Sequence, residues 1–297
     1  MTRTALKSEK SHAIVFFQME RKPEMKLIVA RFEKWASATC PREQYFAFRI
    51  SFALIWLVYD VLDLCFHGNL AMFWQAAMPF VQTPLSVILV VLIACDLGLL
   101  IGWHARWFAV GAFLARAAQV FFIPLNDFYY VAITVLILSM ARCGTSRNEM
   151  AEPIVPSWPR DLLVLQAAWM YFSTAFMKLS PAFLSGGDLY VRQNYIAANL
   201  PWPYPAFYRT WIASLFTNSV LAWLAVILEF SMAAFLVLWF LKPEKRGKWH
   251  RAASVLALMI HGFGAAALNV FFFGASCLAQ IYCLTRSTRG TRKIGQS

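Results

Sequence analysis

TPLSVILVVLIACDLGLLIGW, residues 83–103, carries a single charge, Asp96, in twenty-one residues. At about 1.5 Å of rise per residue, a helix of that length crosses a hydrocarbon core of roughly 30 Å. The surrounding chain reads the same way. It is 60% hydrophobic and 14% charged, with a mean hydropathy of +0.56. A soluble domain carries about 25% charge. Composition therefore overrides the two soluble domains that length alone would allow, and points to an all-α, polytopic membrane helix bundle. Further spans are expected at 47–66, 106–125, 127–141, 161–180, 211–241, 251–270 and 271–285, giving about eight in all. The fourth and eighth are short, and the sixth is long enough to tilt.

The net charge of +12 would suit nucleic acid, but the placement of the cations excludes that partner. Ten of the 27 Lys and Arg precede residue 50, and most others sit in short connections between apolar runs. This is the pattern of cytoplasmic loops beside anionic lipid in a plasma (inner) membrane. The stretch 67–82 has no Lys or Arg, whereas KPEKRGKWHR (242–251) and the tail with Arg286, Arg289, Arg292 and Lys293 are strongly basic. An even number of spans with both termini cytoplasmic puts 23 of the 27 cations inside, Arg192 and Arg209 outside, and Arg116 and Lys178 in or near the membrane.

Three regions follow. Residues 1–45 form a basic cytoplasmic segment, 46–285 the transmembrane domain, and 286–297 a basic cytoplasmic tail. Within the first, EMKLIVARFEKW (24–35) places Leu27, Ile28, Phe32 and Trp35 at helical spacing, as in an interfacial helix or one packed on the protein's own loops. The apolar patch AIVFF (13–17) is too short for a signal peptide. The six cysteines show no CxxC spacing and read as packing residues, so no metal site is expected.

The charges that remain among the spans are the candidates for chemistry. YFSTAFMKL (171–179) is apolar until Lys178, and nothing charged precedes that lysine after Asp161. Tyr171, Thr174, Ala175 and Lys178 share a helix face. A desolvated lysine there is suited to act as a base; the alternative is snorkelling to the outer headgroups. Asp127 follows Asn126 in a tight turn and either caps the fourth span or pairs with Lys178. Asp60 and Asp63 lie on one face of the first span and suit an ion pair or a bound ion. Asp96, Arg116 and Glu229 suit a buried charge network, with Gln119 on the Arg116 face. His261 lies near the middle of the seventh span, either as a hydrogen-bonded core histidine or as a site residue. The segment 181–210, with four prolines and Trp202, Tyr204, Phe207 and Tyr208, reads as a lid over an outer cavity or as an interfacial anchor. The sequence contains no P-loop, GxSxG elbow, HExxH or dinucleotide fingerprint, and no inverted repeat of the transporter kind.

YFSTAFMKLSPAFLSGGDLY (171–190) resembles the signature of the HTTM family, the membrane domain shared with vitamin K-dependent gamma-glutamyl carboxylase. The matching positions are Tyr171–Phe172, Ala175, Lys178–Leu179, Phe183 and Gly186, with Phe183 where the family has Trp. GWHARW (102–107), LNDFYY (125–130), VILEFSMAAF (226–235) and MIHGFGAAALNVFFFG (259–274) repeat other family features in order, over roughly 45–285. The resemblance implies that Lys178 deprotonates a reduced vitamin K-type quinone. In the carboxylase, oxygenation of that quinol yields a strong base that abstracts a glutamate γ-proton before carbon dioxide adds. Asp127 stands where the carboxylase has a histidine. The resemblance further implies catalytic roles for Lys178, Asp127 and His261, and cofactor contacts for Tyr171, Asn126, Phe183 and Gly186. The carboxylase carries a large soluble domain after its spans, and about a dozen residues follow the last span here. A peptide or soluble protein partner, as for bacterial members linked to peptide-toxin maturation, is therefore expected beside membrane lipid and the quinone. The competing readings are a non-catalytic membrane protein that binds a lipid or protein partner, and a small-molecule or ion transporter using Asp60, Asp63 and Glu229.

Overall fold

The helical periodicity takes shape in a computed structural model that describes residues 23–65, 82–122, 126–143, 154–188, 217–268 and 271–286. The protein is mostly helical. The described elements are α1 (Pro23–Ala36), β1 (Thr39–Pro41), α2 (Arg42–Cys65), α3 (Gln82–Ile101), α4 (Ala105–Phe122), α5 (Asn126–Met140), β2 (Ile154–Pro156), α6 (Trp158–Met177), the short α7 (Pro181–Leu184), α8 (Asn218–Leu241), a 3-10 turn (Pro243–Lys245), α9 (Arg246–Leu268) and α10 (Phe271–Thr285). Arg42–Cys65, Pro84–Ile101 and Asn218–Leu241 are long and apolar enough to cross a membrane, and Asp127–Met140 and Phe273–Thr285 are shorter apolar helices. The loop aromatics Trp202, Tyr204, Phe207 and Tyr208 and the patch 13–17 lie outside the described residues.

Eight helices close into a ring. Each packs on the next in the order α2, α3, α4, α5, α6, α8, α9, α10, and α10 returns to α2 while also touching α6. The pattern of small residues explains the tight neighbours. Ala105, Ala109 and Ala112 are buried along one face of α4. Gly98 of α3 lies directly under the Phe108 ring of α4, and a Cβ on Gly111 would come within 2.9 Å of Cys95 Sγ. Small residues let backbones approach where no hydrophobic force drives helices together in lipid. On α2 the buried stripe runs Tyr45, Phe48, Phe52, Trp56, Asp60 and Asp63, at steps of three and four. Its aromatic part is continuous, from Phe48 through Phe52, Trp56 and Tyr59 to Phe128 of α5, with successive ring centroids 5.1–6.3 Å apart. Trp103 and Trp107 flank the α3–α4 turn and are exposed, as suits anchors at a membrane–water boundary.

The all-helical expectation misses one feature. β1 and β2 pair antiparallel, with Thr39 opposite Pro156, Cys40 opposite Val155 and Pro41 opposite Ile154. This ribbon ties the start of α2 to the start of α6. The Tyr45 hydroxyl donates to Pro156 O at 2.9 Å and accepts from the Arg160 N–H at 2.8 Å. Arg160 donates to Asp161 Oδ1 at 2.9 Å and to Gln44 Oε1 at 3.2 Å. Its guanidinium lies over the Trp239 ring of α8, which also faces Arg246. A chain of three residues per strand leaves no readable alternation, so the ribbon carries no period-two signal.

Candidate site at the Lys178–Glu229 pair

The α6 segment that ends at Lys178 has two unlike faces. Tyr171 and Ala175 are buried, whereas Trp169, Phe172, Phe176 and Met177 are exposed. Large apolar groups therefore point out of the bundle, and the Tyr171, Ala175, Lys178 face points in. Lys178 is the C-cap of α6, and its N–H donates to Thr174 O at 3.1 Å. A cation is favoured there by the helix dipole.

Lys178 Nζ forms an ion pair with Glu229 Oε1 of α8. The lysine side chain is 30% exposed and the glutamate 10%. Glu229 Oε2 is buried and has no hydrogen-bond partner. The Phe183 ring covers the ammonium, with its centroid 5.7 Å from Nζ. The segment after Lys178 is strapped down to place that ring. Ser180 caps α7 and accepts from the Phe183 N–H at 3.3 Å, and Ser219 Oγ donates to Leu184 O at 2.8 Å. Gly186 has φ +84, and a Cβ on it would stand 2.6 Å from the Asn218 carbonyl carbon. Only glycine satisfies both that conformation and that approach.

Two turns back along α6, the Tyr171 hydroxyl is hydrogen-bonded to His261 Nε2 of α9, and both residues are buried. Gly274 of α10 makes room for the imidazole, since a Cβ there would lie 3.1 Å from His261 Cβ. The two pairs share one face of α6, since Tyr171 and Lys178 lie seven residues apart.

The carboxylate that meets Lys178 is thus Glu229. Asp127 sits half-buried in the first turn of α5, where its charge acts on Tyr59 and Cys277. The Asn126 side chain lies outside the described residues. Glu229 also leaves the network expected with Asp96 and Arg116, because α8 packs on α6 and α9, whereas Asp96 and Arg116 lie on α3 and α4. Arg116 instead binds Asp60 Oδ2 at 2.6 Å, lies 3.9 Å from Asp96 Oδ2 and donates to Gln119 Oε1 at 2.8 Å. It also stacks over Trp56, 4.7 Å from the ring centroid. Period alone could place Asp60 and Arg116 on inward faces. Their meeting depends on which helices adjoin. Among the described residues, no group of three or more His, Cys, Asp or Glu is arranged to hold a metal ion.

No family model, curated protein or solved structure matches the chain.

Proposed function

We propose that the protein is a multi-pass integral-membrane enzyme or maturation factor of the plasma membrane, with eight spans and cytoplasmic termini. Its outward-facing Lys178–Glu229 pair would take a proton from a reduced quinone. The basic connections support the orientation, and the signature around Lys178 supports the substrate class. The observation that carries the reading is the partly exposed ion pair with a free, buried carboxylate oxygen beside it.

An ammonium has no lone pair with which to accept a proton. Lys178 becomes a base only by handing one proton to Glu229 Oε1, and the pair is placed for that transfer. An adjacent base is a general way to activate a nucleophile or base. Glu229 Oε2 is then available to hold a hydroxyl of the substrate. Phe183 would offer the substrate the aromatic face that it turns to Lys178, and the buried Tyr171–His261 pair would back the site two turns further in. A bound quinol supplies the acidic hydroxyl and the redox chemistry. Asp127, Asn126 and Gly186 enter the site on the strength of the resemblance, and a peptide or soluble partner would supply the final substrate.

The test is oxygen-dependent epoxidation of a reduced naphthoquinone by purified protein, beside Lys178→Met and Glu229→Gln, each assayed below its own unfolding temperature. Epoxide from the parent and from neither variant is the expected result. The capping position of Lys178 favours a second reading, a helix-end clamp without catalysis. No epoxide from any of the three, with a lowered unfolding temperature in Lys178→Met, would establish that reading in place of the first.

A further inference from the structure

The second charged cluster does not balance. Asp60 and Asp96 are 0% and 2% exposed, and Arg116 between them is 1% exposed. One Nη2 atom serves both carboxyl groups, at 2.6 Å and 3.9 Å. One guanidinium neutralises one carboxylate, so among the described residues the second has no counter-charge. Asp63, 9% exposed and one turn along the same face, adds further negative charge. A buried carboxylate without a counter-charge is so unfavourable that it neutralises instead.

Two further observations say how. Asp60 Oδ2 and Asp96 Oδ2 converge on the same Arg116 Nη2 atom. As carboxylates neither has a donor to offer, and Asp60 Oδ1 and Asp96 Oδ2 are buried with no hydrogen-bond partner. The other polar groups at the guanidinium leave the same surplus: Gln119 binds Arg116 through its oxygen, while its Nε2 is buried and unpartnered. We propose that Asp60 and Asp96 share one proton at neutral pH, so that the Asp60–Asp96–Arg116 cluster is an intramembrane proton-binding site. The proton on one carboxyl donates to the other, and Arg116 holds the remaining single negative charge. A metal or alkali cation fits poorly, because any position between the two carboxyl groups adjoins the guanidinium.

Among the described residues, the titratable groups beside the pair are Tyr59 and Asp63 on α2, Cys95 next to Asp96 on α3 and Arg116 on α4, with Asp127 of α5 on the far side of Tyr59. Cys283 of α10 packs at Ser51, toward the other end of α2. Arg49, the other buried cation of α2, donates to Leu99 O. None of these places a second cation against the pair.

Infrared spectroscopy of the full chain in lipid nanodiscs at neutral pH tests this site. A protonated carboxyl band that shifts in heavy water is expected. It should move when aspartate carries a heavy-carbon label in its side-chain carboxyl, and vanish in Asp60→Asn and in Asp96→Asn. The labelled parent decides the matter even if a variant fails to fold. No band in the parent, a band that ignores the aspartate label, or one lost in Asp63→Asn but kept in both other variants would overturn the proposal. So would stoichiometric sodium binding in a parent without the band.

Discussion

The two charge sites of the helical bundle differ in balance and in access. At the end of α6, one lysine meets one glutamate, and the lysine side chain is 30% exposed. Between α2, α3 and α4, one arginine meets two carboxyl groups, and all three are essentially sealed. A balanced, partly open pair can lose or gain a proton to a visitor. A sealed, unbalanced cluster must settle its charge within itself. The contrast teaches that burial and charge count, taken together, separate a site that exchanges with a ligand from one that stores charge. It also sets different costs for removing the cation.

The largest effect should come from Arg116→Met. It strands Asp60 against Asp96 and removes a guanidinium that also stacks on Trp56. Breaking a buried pair by deleting one partner costs on the order of 3–5 kcal/mol. Lys178→Met strands a carboxylate whose side chain is 10% exposed, but the opening at Lys178 lets water approach it, so the loss should be smaller, about 2–3 kcal/mol. Thermal unfolding in detergent, followed by tryptophan fluorescence, compares the two. Equal losses would erase the distinction. Recovery of part of the Arg116→Met loss by a second change, Asp60→Asn, would sharpen it.

Gly186→Ala should come next, at about 1–3 kcal/mol, because a non-glycine residue is strained at positive φ. Its Cβ would also strike the backbone of Asn218. The damage should be local. Hydrogen exchange should rise at 180–188 and around Lys178, and stay unchanged at Asp60, Asp96 and Arg116. Spread of the loosening to α4 would mean the two sites are not independent.

Tyr171→Phe removes the hydroxyl that bonds His261 and leaves a buried imidazole nitrogen without its partner. The expected cost is about 1–2 kcal/mol. If Tyr171 serves only packing, epoxidation by the folded variant should match that of the parent. If it lines the site, activity should fall by more than the stability loss accounts for.

Much of the fold was legible because the helical period is strong. The apolar run 83–103 coincides with α3 to within two residues and α8 takes up 218–241 of the run 211–241, whose first six residues lie outside the described ones, and Tyr171, Ala175 and Lys178 share a face as spacing alone requires. The helix partners were not legible. Lys178 was weighed against Asp127, and Glu229 against Arg116, because a sequence gives each helix's inward face without the neighbour it meets. Ring order settles that: α6 adjoins both α5 and α8, and Glu229 of α8 is the carboxylate at the height of Lys178. The β1–β2 ribbon was hidden by its brevity. Arg160 directly precedes the expected span 161–180 in a cation-bearing connection, yet it is buried against Tyr45, Asp161 and Trp239. The one available hint was its place beside Asp161 and directly after Pro159, at the first turn of a span.

The smallest effect concerns pH and guards the whole comparison. His250 lies in the basic connection, where its Nδ1 is 2.7 Å from Thr285 Oγ1. Burial lowers its pKa below the ordinary 6.5, and the nearby charges of Arg286 and Arg251 lower it further. A histidine with a depressed folded-state pKa binds protons more readily when unfolded. Its contribution to stability is therefore present above about 6.5 and is lost as pH falls toward the folded-state value. His250→Gln should flatten the decline in unfolding temperature just below neutrality. It should leave untouched any infrared band from Asp60 and Asp96. A decline that survives the substitution would have to come from another group, and the sealed aspartates would then be the first to re-examine, because a proton leaving or joining them would alter the charge that Arg116 holds in place.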